Sequence, residues 1–236
     1  MTYALEGRGI GKVFGTGELA VRALFPTTLG VSRGEVLVLM GPSGSGKTTL
    51  LSLLGLVLTP TEGEVFVDGK PVAGATADDL ATLRRDKVGF VFQQFNLLSG
   101  LSALDNVAIP LLLRGASTAD RRARARRALE LVSMGEKADA KARLLSGGQQ
   151  QRVAIARALV ADAGVLLCDE PTASLDGHTG RDVLDTLARL ARSEGRAVVI
   201  VTHDERVLRI ADRSVLVEDG RAREESPEEL LARRVA

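Results

Sequence analysis

The run Gly41-Pro42-Ser43-Gly44-Ser45-Gly46-Lys47-Thr48-Thr49 constrains this chain most, because it joins the apolar stretch Val36-Leu37-Val38-Leu39-Met40 to Leu50-Leu51-Ser52-Leu53-Leu54. The first stretch reads as a buried strand and the second as a helix, so the glycines fall in a strand-to-helix loop. Glycine lets the backbone curl tightly and turn successive N–H groups inward, and the helix that follows presents its positive dipole end. Such a loop cradles phosphate. Lys47 would reach the β and γ phosphates as a point charge, and Thr48 would offer its hydroxyl to Mg²⁺. A string of this form arises by chance in roughly one chain in a hundred of this size, and the flanking strand and helix lower that further. The loop therefore predicts a nucleoside triphosphate site.

Around it, 236 residues with 45% hydrophobic content can bury one substantial core. Lys and Arg total 31 against 30 Asp and Glu, so no global field draws the chain to nucleic acid or an anionic membrane. The single cysteine, Cys168, lies in the apolar run Val165-Leu166-Leu167-Cys168, which suits strand packing in a reducing compartment and excludes an internal disulfide. No span reaches the ~18 apolar residues of a membrane helix, and Met1 to Gly9 lacks a basic region followed by an apolar signal core. A soluble, cytoplasmic protein is expected.

Along the chain, Tyr3 to Ile10 and Ala23 to Val31 predict a small antiparallel sheet. Strand Glu64 to Val67, a turn at Asp68-Gly69, a helix from Asp78 to Arg85 and strand Val88 to Phe92 follow. Between Asn96 and Ala142 the texture is Leu-rich, then Ala/Arg-rich, and is broken by Pro110 and Gly115, which predicts helices forming a separate lobe. Its second helix, Ala119 to Val132, carries Arg121, Arg122, Arg124, Arg126 and Arg127; with no aromatic platform beside them, they read as a solvated or partner-facing surface. From Gln149 the pattern alternates: helix to Val160, strand Val165 to Cys168, helix Gly180 to Arg192, strand Ala197 to Val201. Alternation of this kind predicts βα units around a parallel sheet. A last strand, Ser214 to Val217, turns at Asp219-Gly220, and Ser226-Pro227-Glu228-Glu229 is a capping box opening a terminal helix.

Three further constellations carry chemistry. A buried strand ends in the carboxylates Asp169 and Glu170, whose side chains would point apart on a pleated strand. Asp169 can then hold the Mg²⁺ shell while Glu170 faces the γ phosphate and polarises an attacking water. Gln93 follows Val91-Phe92 and His203 follows Val198 to Thr202, and strand C-terminal ends converge on the ligand crevice of a parallel sheet. His178 has no such placement and reads as structural or merely exposed rather than catalytic. Leu145-Ser146-Gly147-Gly148-Gln149 puts a Ser and two Gly at another helix start, a second anion site beside a nucleotide that already has one.

Taken in order, Gly41 to Thr48, Gln93, Leu145 to Gln149, Asp169-Glu170, Ala173-Ser174-Leu175-Asp176 and His203 resemble the ATP-binding cassette (ABC) ATPases over nearly the whole chain. The resemblance implies an α/β fold: a phosphate-loop NTPase core with a parallel sheet flanked by helices, an N-terminal antiparallel β subdomain and an α-helical subdomain. It implies one ATPase domain over 1–236, with the β subdomain and core about 1–95 and 160–236 and the helical subdomain about 96–159. By carry-over, ATP is held by Gly41, Pro42, Ser43, Gly44, Ser45, Gly46, Lys47, Thr48, Thr49, Gln93 and Asp169. Phe14 stands where the family usually has a tyrosine stacking on adenine, and keeps its π face. Mg²⁺ falls to Thr48, Gln93 and Asp169; hydrolysis falls to Glu170, His203, Lys47 and Gln93.

The same resemblance implies a head-to-tail dimer in which Ser146, Gly147, Gly148, Gln149 and Asp176 of one subunit close on the ATP of the other, which accounts for the second anion site. It implies a separate integral membrane permease as partner, with the protein peripheral on the inner face of the cell membrane, and no nucleic acid. Gly89 to Leu98 and Asp105 to Leu111 look like the lipoprotein-release and macrolide-export group, which includes the cell-division member. The rival readings are a regulatory ATPase that signals through a membrane partner without transport, and a cassette working on nucleic acid.

Overall fold

A computed structural model describes residues 2–173 and 175–232. The chain folds into two sheets. Strands β1 (Leu5–Phe14), β2 (Val21–Val31), β4 (Glu62–Val67) and the short β5 (Lys70–Pro71) form an antiparallel sheet in the order β2-β1-β4-β5. Strands β3 (Val36–Met40), β6 (Val88–Val91), β7 (Val165–Asp169), β8 (Ala197–Thr202), β9 (Arg213–Glu218) and β10 (Arg221–Glu225) form the second, in the order β10-β9-β3-β8-β7-β6. Strands β9, β3, β8, β7 and β6 pair in parallel, Val38 opposite Ile200 and Cys168 opposite Ile200 on the other side, and only β10 runs antiparallel.

The near-continuous apolar strands are explained by burial on both faces. On β3, β7 and β8 the pleat sends Val36, Val38, Leu166, Cys168, Val198 and Ile200 to one side. Leu37, Leu39, Val165, Leu167, Val199 and Val201 go to the other. The first face packs on α5 (Gly147–Leu159) and α6 (Gly177–Glu194), and beyond them on α3 (Ala103–Leu113) and α4 (Thr118–Leu131). The second packs on α1 (Lys47–Leu54) and the antiparallel sheet. Helix α2 (Ala77–Lys87) opens on a capping box between Thr76 and Asp79, and α7 (Pro227–Ala232) follows the predicted box between Ser226 and Glu229. Cys168 is fully buried, and burial pushes its thiol pKa up, as expected of an inert packing residue.

The structure departs from the sequence reading at several places. Pro110 does not break a helix but lies inside α3. Proline costs a helix one N–H donor, yet burial of Leu104, Val107, Ala108 and Leu111 along that helix holds it through the site. Strand β10 was not foreseen. Its sequence Arg-Ala-Arg-Glu-Glu has no apolar alternation, because most of this edge strand stands in solvent and backbone pairing with β9 holds it. Of the arginines on α4, Arg122, Arg124 and Arg126 pair with Asp105, Asp162 and Asp139. Among the described residues, no helix is long and apolar enough to cross a membrane.

Candidate functional site at the ends of the parallel strands

The β3–α1 loop runs from Gly41 to Gly46, with φ of 148° at Gly41, 78° at Gly44 and 104° at Gly46. These conformations favour glycine, and space enforces it at two of them. A Cβ on Gly41 would stand 1.9 Å from the Val217 carbonyl oxygen, and one on Gly46 would stand 2.5 Å from that of Ala23. The β9–β10 turn supports the loop from behind, the Gly220 N–H donating to the Ser45 carbonyl at 3.0 Å. Inside the loop, the buried Ser45 hydroxyl has no hydrogen-bond partner among the described residues.

Lys47 is the first residue of α1 and is buried. Its ammonium donates to the carbonyls of Gly41 at 2.9 Å and Pro42 at 2.7 Å. Burial lowers its pKa, and the nearby carboxylates of Glu170 and Asp169 pull it back up. The Thr48 hydroxyl lies 3.4 Å from both carboxylate oxygens of Asp169. Burial, then the charge of Glu170, raises the Asp169 pKa, while Thr48 and Lys47 oppose the shift.

Glu170 is not a continuation of β7. Its φ is 49°, a left-handed conformation in a residue with a Cβ, and its N–H is anchored to the Val201 carbonyl at 2.8 Å. Asp169 and Glu170 do part company, but through this backbone reversal rather than the pleat of a running strand. Asp169 faces Thr48; Glu170 faces β8, where Thr202 donates to Oε2 at 2.9 Å and His203 Nδ1 lies 2.8 Å from Oε1. A left-handed non-glycine residue costs of order 1–3 kcal/mol and persists where the surroundings hold it.

Thus Lys47, Thr48, Asp169, Glu170 and His203 are linked around one loop. Gln93 stands two residues beyond β6, exposed, and forms no hydrogen bond to them. Phe14 ends β1 with 41% of its surface exposed, its ring 5.4 Å from the Lys12 ammonium. The exposed part of the ring can meet a planar ligand.

Ser146, Gly147, Gly148 and Gln149 form a separate group at the start of α5. Ser146 caps the helix reciprocally with Gln149. A cavity of about 690 Å³ there is bounded by Ser146, Gly148, Gln149, Arg152, Thr179 and Glu130 among others, and by no residue of the Gly41–Thr49 loop. Gly148 also has a packing reason to be glycine, since a Cβ would meet Thr179 Cγ2 at 2.1 Å.

Asp176 caps α6, accepting from the backbone N–H of His178 at 2.9 Å and Thr179 at 3.0 Å. The Thr179 N–H, more than any other contact, pulls the carboxyl down from its ordinary 3.8 to about 2. A depressed carboxyl stabilises the fold above its unfolded value and loses that contribution as the pH falls through its folded value. An Asp176→Ala variant is therefore expected to be less stable than the native chain at neutral pH, the gap closing between about pH 3.8 and pH 2. Urea midpoints across that range measure it, and a gap independent of pH would rule out a charged cap. Ser174, next to this cap, lies outside the described residues. His178 is exposed, 3.6 Å from Asp182, away from the other group as expected.

Residues 24–173 match the model of the family described as ABC transporter. This chain belongs to the ABC transporter family. Its α/β architecture is that of the ABC cassette, and it is an ATPase that binds ATP. It is 49% identical over 214 residues to a macrolide export ATP-binding/permease protein of Paracoccus denitrificans, covering 91% of this chain but 32% of that one. It is 45% identical over 218 residues to the lipoprotein-releasing system ATP-binding protein LolD of Bordetella pertussis, covering 92% of this chain and 94% of that one. Among solved structures, a dimeric post-hydrolysis cassette bound to ADP and phosphate superposes with a TM-score of 0.86 at 43% identity, covering 94% of this chain and 98% of that one. The chain thus spans about a third of the macrolide export relative and nearly all of the lipoprotein-releasing one.

Sequence reading did not single out Thr202 or Asp204. Both lie beside His203; for Thr202 the signal was a hydroxyl ending an otherwise apolar strand, and for Asp204 a carboxylate just beyond it.

Proposed function

We propose that this cassette dimerises head-to-tail around two Mg-ATP and drives a separate membrane permease of the lipoprotein-release or macrolide-export type. The observation that carries this reading is the separation of two glycine-rich helix starts in one chain, each suited to an anion. The phosphate loop opens α1, while Ser146 to Gln149 open α5 around a cavity that no residue of the loop borders. A second copy, turned end to end, supplies one to the other. The dimeric form of the solved ADP-bound relative supports this arrangement.

Within each site, Gly41 to Thr49 cradle the phosphates, Lys47 exchanges its loop carbonyls for β and γ phosphate oxygens, and Phe14 stacks on the base. The Thr48 hydroxyl lies 3.4 Å from both oxygens of the Asp169 carboxylate, so the two already share one small space. This hard-oxygen set fits Mg²⁺ with its triphosphate, and Gln93 would join it on closure. When bound, the ion would neutralise charge on the β and γ oxygens. Glu170 takes the proton of the attacking water, the γ phosphorus–oxygen bond to the β phosphate breaks, and His203 turns from Glu170 to the γ phosphate. Across the interface, Ser146, Gly147, Gly148, Gln149 and Asp176 complete the site.

The helical subdomain, about 96–159, would transmit closure to the permease. A groove of about 430 Å³ beside the segment after Gln93 is bounded by Val57, Arg85, Phe90, Phe92, Leu113 and Arg157. Its exposed apolar side chains, with Leu113 at 70%, fit a short amphipathic element of the membrane partner. The protein would then sit peripherally on the inner face of the cell membrane.

Mixing tests the composite site. A Ser146→Arg chain and a Lys47→Ala chain, each inactive alone, are expected to regain up to about a quarter of native turnover when combined, because half of the chains pair as heterodimers and each heterodimer keeps one intact site. No recovery at any ratio would overturn the head-to-tail reading.

A further inference from the structure

We infer that Thr202 is a positioning residue that aims the Glu170 carboxylate, holding one of its oxygens while His203 holds the other; this rests on the reading of Glu170 as the hydrolytic base. Thr202 ends β8 with none of its surface exposed. Its hydroxyl makes two contacts of fixed direction. The backbone N–H of Asp204 can only donate, and lies 2.9 Å from Thr202 Oγ1. The hydroxyl accepts there, so its one hydrogen is free for Glu170 Oε2, 2.9 Å away.

The two holds on Glu170 differ in mobility. The His203 side chain is 63% exposed, at the start of a loop, whereas the Glu170 side chain is 13% exposed. Thr202 is β-branched, stiff at χ1, and clamped by strand pairing on the Met40 side. His203 can leave for another partner while Thr202 stays, and the carboxylate then keeps its aim with Oε1 released towards water. The turn that presents the Asp204 N–H is itself tied down. The Asp204 carboxylate accepts from the Thr172 hydroxyl at 2.9 Å, the Arg206 backbone N–H at 3.0 Å and the Arg206 guanidinium at 2.7 Å. Thr172 stands two residues beyond Glu170, so the hold on the carboxylate closes on its own segment.

The experiment compares steady-state ATP hydrolysis by the full chain with Thr202→Val, which keeps the shape without the hydroxyl, Thr202→Ala and Thr202→Ser. Thr202→Val and Thr202→Ala are expected to lower kcat roughly 10- to 100-fold, the range for a lost hydrogen bond to a charged group, with KM for ATP within about twofold of native. Thr202→Ser is expected to stay within about threefold of native kcat. Alanine cannot overpack, so it decides the matter if the valine variant misfolds. Native kcat in the alanine variant, or equal losses in the serine and alanine variants, would overturn the inference. Glu170→Gln separates it from the reading beneath it: if that change spares turnover, the assignment of Glu170 falls; if it abolishes turnover while Thr202→Ala does not slow it, only the positioning role falls.

Discussion

Glu170→Gln is expected to bind ATP as the native chain does and to hydrolyse it roughly a hundred- to ten-thousand-fold more slowly, the span that a positioned general base contributes. The carboxamide fills the same space, and its oxygen can still accept from Thr202, whose hydroxyl lies 2.9 Å from Oε2 in the native chain. What it lacks is the capacity to take a proton from water. Because the γ phosphate is then neither cleaved nor released, the ATP-bound dimer should accumulate. Size-exclusion chromatography with ATP and Mg²⁺ would show it, and phosphate release would give the rate. Native turnover in this variant would remove Glu170 from the chemistry.

The second large effect is expected at Lys47. Its ammonium is the buried cation of the loop, donating to two carbonyls that are themselves part of the cradle. Lys47→Ala removes a charge that the triphosphate would otherwise meet, and each charge-assisted hydrogen bond lost costs about 1.5–3 kcal/mol. ATP affinity should fall by roughly two orders of magnitude or more. Titration with a fluorescent ATP analogue measures it, with thermal unfolding run alongside, since the carbonyls of Gly41 and Pro42 lose their donor in the variant. Native affinity in a folded variant would refute the phosphate role of the loop.

These two expectations draw on different kinds of information. Lys47 follows Gly46 within a segment whose chemistry is local: a strand, a left-handed glycine and a helix start are set by adjacent residues, so the order of residues alone specifies where a phosphate would lie. Asp169 was legible for a related reason, as a carboxylate ending an apolar run. The surroundings of Glu170 were not. Its left-handed backbone, its anchor to the Val201 carbonyl and the hydroxyl of Thr202 all come from the pairing of β7 with β8, which brings together residues some thirty positions apart. No period in the sequence reports that register.

The same division holds in the fold. The alternation of helix and strand after Gln149 was legible because βα units bury continuous apolar strands between amphipathic helices. Pro110 was misread because local propensity was weighed without the burial that overrides it. Strand β10 was missed because backbone pairing, not apolar side chains, holds an edge strand in place.

By itself, then, the sequence determined the phosphate loop, the strand-end carboxylates and the second helix start at Ser146, since each is written in contiguous residues with backbone demands of their own. Only the tertiary structure decided that Glu170 is gripped between Thr202 and His203, and that Ser146 opens a cavity of its own apart from the loop. Those facts depend on which strands lie side by side and how the helices pack on them. The balance of burial and pairing over the whole chain sets that arrangement.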